Sequence, residues 1–198
     1  MNIPESRLYE APMQLRDTQL VGKPYRYLEG RAVPYDEWAD IGWFLEQHEQ
    51  GSLDVTVKQA AAKLPLLLFH NNRSWPIGVS DQWDSADDGL HGVWRLNDTS
   101  DAQQAAKLAE SGDLGYLSIG FSPIKSRWEY VDDFNPDLGP DHMDRVTRVE
   151  SRLLEVSLTP TPAFSSAEIT QVRTAERPRP RQESRADAWR RELEKLRR

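Results

Sequence analysis

The longest uninterrupted apolar run in this 198-residue chain is Leu64 to Phe69, and it stops abruptly at His70-Asn71-Asn72. A membrane-spanning helix needs roughly 18 to 20 apolar residues in a row and a buried strand only about 4 to 8, so the core must be assembled from short strands. Pro65 fits this reading, because proline is tolerated at the start of a strand and not in its middle. Met1 to Gln14 holds no apolar secretory core, so a cytosolic protein with no membrane association is expected. Leu, Ile, Val and Phe number 21, 6, 11 and 5, just above the composition at which chains stop burying a core, so part of the chain is expected to stay open.

There is no cysteine. That removes a disulfide scaffold, a thiolate metal site and a cysteine nucleophile together, and leaves oxygen or nitrogen as the nucleophile of any covalent chemistry. The net charge is −7 and unevenly placed: Arg173 to Arg198 holds ten basic and five acidic residues, and residues 1 to 172 hold 15 basic and 27 acidic. A body at −12 repels phosphate backbones, so direct nucleic-acid binding by the body is not expected.

The composition divides the chain into an N-terminal arm (1–22), a main domain (23–172) and a basic tail (173–198). The tail opens with Arg177-Pro178-Arg179-Pro180, which cannot start a helix, and continues into a charged helix-forming stretch. There Ala186, Trp189, Leu193 and Leu196 make one narrow apolar stripe, suited either to docking on a partner or to a solvated helix.

Within the main domain the pattern predicts a strand over Tyr25 to Ala32. A helix is predicted over Glu37 to Gln50, with Trp38, Ile41, Phe44 and Leu45 at helical spacing and Gly42 weakening it. Strands are predicted over Leu64 to Phe69, Ile77 to Trp83 and Leu90 to Leu96, the last two joined by Asp87-Asp88-Gly89, a hairpin signal. Ser100 with Gln103 reads as a capping box for a helix carrying Ala102, Ala105, Ala106, Leu108 and Ala109 and closed by Gly112. Tyr116 to Ile124 alternates, with Leu117, Ile119 and Phe121 on one face and Tyr116, Ser118, Gly120 and Ser122 on the other. Val146 to Leu158 reads as strand, with Leu154, Val156 and Leu158 on one face and Leu153, Glu155 and Ser157 on the other.

Three polar residues stand in awkward places: His70 at the end of the apolar run, Ser118 between Leu117 and Ile119, and Glu155 between Leu154 and Val156. A buried unpaired polar group costs a few kcal/mol, so such residues satisfy one another or water. Each has a structural reading alone: His70 bonded to backbone, Ser118 as a strand serine, Glu155 paired with a neighbour such as Arg152. Together they supply the parts of nucleophilic catalysis: a hydroxyl, an imidazole to take its proton, and a carboxylate to fix the imidazole's tautomer. Spacing alone does not choose between these readings.

Leu64 to His70 with Pro76-Ile77-Gly78 after it, then Gly89-Leu90, Gly115 to Phe121 and Leu153 to Ala163, match in order and spacing over about Tyr25 to Ile169. In these segments the chain resembles the prohead (capsid-maturation) serine protease family of tailed double-stranded-DNA bacteriophages. That family is similar in fold to herpesvirus assembly proteases, so the resemblance implies a mainly β α+β fold: a compact antiparallel β-barrel flanked by a few helices. It also implies Ser118 as nucleophile, His70 as general base and Glu155 as third member, where herpesvirus relatives have a second histidine. Asn71 stands where the family pattern has an acidic residue. Gly120 would let a substrate backbone approach the strand closely.

The implied substrates are the scaffolding protein or a scaffold-like segment of the major capsid protein, and the protease itself, inside the assembling prohead in the host cytoplasm. Self-association is implied by the same analogy, and self-trimming is expected within Arg173 to Arg181. The rival class is a non-catalytic scaffold or assembly factor that keeps the fold.

Other signals rank lower. Ser122-Pro123-Ile124-Lys125 matches the S-x-x-K motif but lies in a strand pattern where that motif needs a helix, and Ser118 lies in a strand rather than a strand-to-helix elbow. Asp133, Asn135, Asp137, Asp141 and Asp144 resemble a calcium loop, but the glycine is displaced, prolines intervene and helices do not flank it. His48, His91 and His142 form no zinc motif. No metal and no cofactor is expected.

Overall fold

The computed structural model describes residues 25–59 and 63–175. Its elements in chain order are β1 (Tyr25–Pro34), β2 (Ala39–Asp40), β3 (Phe44–His48), α1 (Asp54–Gln59), β4 (Pro65–Leu68), β5 (Gly78–Ala86) and β6 (Gly89–Leu96), then α2 (Ser100–Ser111), β7 (Tyr116–Glu129), β8 (Asp144–Thr159) and β9 (Ile169–Ala175). The N-terminal arm and the tail beyond Ala175 lie outside the described residues, and with them the apolar stripe of the tail and the Pro/Arg segment.

The strands join in one sheet of order β2-β3-β8-β4-β5-β6-β1-β9, and β7 pairs with β8 off this path. The expected fold holds as mainly β with few helices, and two features correct it. The sheet is mixed, because β3 and β4 both run parallel to β8. It is also not closed into a barrel: β7 touches the start of β9 through an isolated antiparallel bridge, Tyr116 to Glu168, and no ladder follows.

β8 organises the sheet. One edge pairs with β7 from Tyr116–Thr159 to Glu129–Arg145. The other is shared, with β3 along Asp144 to Arg148 and β4 along Val156 to Leu158. Between them the free amides of β8 turn to the α1 region: Ser151 N–H donates to Ser52 O, and Leu153 N–H to Thr56 Oγ1. Every backbone donor left over from the sheet that is buried must find such a partner. Leu28, Val33, Leu66, Leu90, Trp94, Leu96, Leu117, Leu153, Val156 and Leu158 fill the core, and the alanine face of α2 packs on it.

The predicted helix over Glu37 to Gln50 is not formed. Gly42 adopts φ 94, its N–H is taken by Asp40 Oδ1, and the chain turns there so that β2 pairs with β3. Aligning Phe44–His48 with Asp144–Arg148 then satisfies the backbone that a helix would otherwise have satisfied internally.

The helix after Ser100 forms as expected, but its cap is Thr99, whose Oγ1 accepts from Ala102 N–H, one residue earlier than the capping box suggests. β1, β5 and β6 form near their predicted places, with a two-residue turn at Asp87 and Asp88. α1 and β9 carry no sequence signal strong enough to have been expected.

In β8 the expected faces hold only C-terminal to Glu155. The register slips so that Gly120 faces Glu155 while Phe121 faces Leu153, leaving Leu154 as the extra residue of a bulge. Leu153 is buried and Leu154 is 49% exposed, the reverse of strict alternation. Without the bulge, Arg152 would share the buried face of Val156; with it, Arg152 is exposed and Ser151 turns inward. Avoiding a buried unpaired guanidinium outweighs the roughly 2 kcal/mol that a buried leucine contributes at either position.

Candidate active site

Three adjacent strands bring the awkward polar residues together. β4 leaves its pairing with β8 at Leu68 opposite Leu158, and the next two residues, Phe69 and His70, both take left-handed backbone conformations at φ 56 and 55. That turn sends the His70 ring back over β8. On β8 and β7 the register sets Ser157 opposite Ser118 and Glu155 opposite Gly120, so all four lie on one face of the two-stranded ladder.

His70 Nε2 lies 2.9 Å from Ser118 Oγ and Nδ1 lies 2.6 Å from Glu155 Oε1. The carboxylate can only accept, so it holds the imidazole proton on Nδ1 and leaves the Nε2 lone pair to accept from the Ser118 hydroxyl. The His70 side chain is 43% exposed and that of Glu155 only 13%, so the imidazole faces solvent while the carboxylate is shielded behind it. The sequence reading named all three residues, and the structure joins them in one hydrogen-bonded series.

Two neighbours complete the arrangement. A Cβ on Gly120 would collide with Glu155 Oε1 and stand 3.0 Å from both Cγ and Cδ of that side chain. The room left by the missing side chain is therefore filled by the carboxylate. Ser157, fully buried, accepts from the His70 backbone N–H at 3.0 Å and donates to Glu155 Oε2 at 2.7 Å. Sequence reasoning placed Ser157 on the right face but gave it no part. The available signal was its position, two residues from Glu155 on a strand face otherwise built of site residues.

The other sequence candidates lie apart. His48 is buried against Phe121 and Phe164, and burial, then the Arg148 guanidinium, holds its pKa down at about 4, so it is neutral near pH 7. His91 pairs with Asp88. In the acidic loop, Asn135 caps a short 3-10 turn, Asp144 accepts from Val131 N–H and Asp133 pairs with His142, so the oxygens do not converge. Among the described residues no group of three or more His, Asp or Glu is placed to hold a metal ion, and no helix is long and apolar enough to cross a membrane.

A hydroxyl, an imidazole and a carboxylate bonded in that order form the arrangement that serine hydrolases use on several unrelated folds. Comparison with known families gives the narrower assignment. The model of the caudovirus prohead serine protease family matches residues 13–179, and the chain belongs to that family. It is thus a serine endopeptidase of phage capsid maturation, acting on capsid or scaffold proteins within the assembling prohead.

No curated protein matches the chain. Among solved structures it is similar to the Kaposi's sarcoma herpesvirus protease. A complex of that protease with a hexapeptide phosphonate inhibitor is 12% identical, with TM-score 0.44 over 88% of this chain and 77% of that one. Two complexes with allosteric inhibitors are 14% and 12% identical, with TM-scores 0.37 and 0.40, covering 87% of this chain in each case and 91% and 92% of those chains.

Proposed function

We propose that Ser118 is the nucleophile of this endopeptidase, His70 its general base and Glu155 the group that orients and charge-balances His70. The observation that carries this reading is the unbroken series Ser118 Oγ, His70 Nε2, His70 Nδ1, Glu155 Oε1, with both links within hydrogen-bond distance. His70 takes the hydroxyl proton as Ser118 attacks the scissile carbonyl, and Glu155 stabilises the imidazolium that forms. The same proton then goes to the leaving amine, and water repeats the sequence on the acyl-enzyme. The place at Gly120 expected to take the main chain of a substrate holds the Glu155 carboxylate instead, so Gly120 serves the site by leaving room for the third member.

The substrates are the scaffolding protein or a scaffold-like segment of the major capsid protein, and copies of the enzyme itself, which associate with one another. Self-cleavage is expected within Arg173 to Arg181; because Arg173 to Ala175 are paired with β1 in the sheet, the cut falls in the remainder of that stretch, which lies outside the described residues.

Intact-mass spectrometry of wild type and Ser118→Ala, expressed alone and then with the capsid protein, tests this. Discrete products from wild type that vanish in Ser118→Ala are expected. Identical masses from both proteins under both conditions would transfer the assignment to a non-catalytic assembly role.

A further inference from the structure

Phe69 and His70 are consecutive non-glycine residues in the left-handed region. Each such residue costs roughly 1 to 2 kcal/mol and persists only where the surroundings fix it. Phe69 N–H is held by Leu158 O at 3.0 Å, and Asn71 N–H by Leu68 O at 3.0 Å. Between them the His70 N–H has a side chain as its partner, the Ser157 hydroxyl.

That hydroxyl has a second bond, donated to Glu155 Oε2. The contacts therefore close a ring: His70 backbone N–H to Ser157 Oγ, Ser157 O–H to Glu155 Oε2, and Glu155 Oε1 to His70 Nδ1–H. Ser157 is fully buried, so bulk water has no access to take over either bond. Its two hydrogen bonds go to neither the nucleophile's oxygen nor the ring of the base. Its two bonds instead fix the two things on which the base depends: where its backbone turns, and which carboxylate oxygen meets its ring.

We propose that Ser157 is a positioning residue of the protease, one buried hydroxyl that fastens the backbone of the base to the carboxylate that orients it. This rests on the assignment of Ser118, His70 and Glu155 above. By donating to Oε2 the hydroxyl fixes which carboxylate oxygen is left to meet the imidazole. Without it, the Glu155 carboxylate is free to rotate, and the His70 amide loses its partner. The base is then misplaced.

The test compares Ser157→Ala, Ser157→Thr and Ser157→Cys with wild type. One readout is cleavage kinetics on a capsid-protein peptide, the other the NMR resonance of the His70 Nδ1 proton that meets Glu155. Ser157→Ala is expected to lower kcat by about 10- to 100-fold, with KM within about twofold, as for a small misplacement of a catalytic group. Its His70 Nδ1 proton resonance should shift or broaden as the bond to Glu155 loosens, and Ser157→Thr, which keeps the hydroxyl, should recover both. If the alanine variant does not fold, Ser157→Cys keeps the volume with a weaker donor and carries the same comparison.

An unchanged His70 Nδ1 proton resonance and kcat in the folded Ala or Cys variant overturns the proposal. So does a Thr variant as slow as Ala with that resonance unmoved, which is the signature of a merely structural serine. If wild type and Ser118→Ala cleave alike, it is the serine-nucleophile assignment that fails. The NMR comparison, made on the Ser118→Ala background, still decides whether Ser157 sets the state of His70.

Discussion

Gly120 and Glu155 face each other across the β7/β8 ladder with no room for a methyl group between them, because the glutamate carboxylate occupies the place where a Cβ would stand. Gly120→Ala must push the carboxylate away from His70 Nδ1 while leaving the strand's backbone bonds intact. The expected result is a fall in kcat of about 10- to 100-fold with a melting temperature within a few degrees of wild type. Steady-state kinetics paired with a thermal melt checks both halves.

Glu155→Gln keeps the size of the side chain and removes its charge. An amide can turn its NH2 to Nδ1, which favours the wrong imidazole tautomer, and it cannot balance the imidazolium. A loss of about 10⁴-fold in kcat near pH 7 is expected, comparable to loss of the carboxylate in other triads, and single-turnover rates would record it.

The stability of the protein should fall with acid in a window set by His48. Its native pKa of about 4 lies below the ordinary value of 6.5, so the unfolded chain takes up a proton that the native state refuses. Stability is therefore unaffected above pH 6.5, declines as the pH drops toward 4, and by then has lost about 3 kcal/mol from this group. The groups packed on His48 are Phe121, Phe164, Ser52 and the Arg148 guanidinium, none of which can take its proton. Asp54, held low by its hydrogen bond to Lys58, and Asp88, held low by that to His91, lose their contributions only below the usual carboxylate value of 3.8. Urea titrations of wild type and His48→Leu at pH 7 and pH 4.5 should show a decline in the former and a much flatter response in the latter.

The bulge in β8 predicts opposite outcomes for adjacent leucines. Leu153→Ala should cost about 2 to 5 kcal/mol by opening a cavity in the core, and Leu154→Ala under about 1 kcal/mol. Equal losses in urea unfolding would mean that the strand keeps strict alternation.

His70, Ser118 and Glu155 stood out in the sequence because each interrupts a pattern, a polar group closing an apolar run or splitting an apolar pair. That pattern left their structural readings open, and only the family resemblance implied their roles. The hairpin at Asp87 and Asp88 and the alanine face of α2 were legible because their signals are local. Strands β2 and β3 were not, because Trp38, Ile41, Phe44 and Leu45 fit a helical face, and what decides against it is β8, a hundred residues away. The inward turn of Leu153 was hidden for a similar reason. Parity along β8 is reset by a bulge whose benefit, keeping Arg152 in solvent, shows only once the ladder is built. Ser157 drew no reading of its own because its partners belong to another strand's end and to its own neighbour two residues before.

The parallel pairing of β4 with β8 also sets a timetable. The imidazole is translated early, the hydroxyl midway and the carboxylate last, and the slot that holds His70 over Ser118 exists only after β8 has slid between β4 and β7. A ribosome-bound chain that has not yet released Leu158 carries the hydroxyl and the imidazole but no frame to align them, so the three groups meet only as a late event in the protein's own biogenesis.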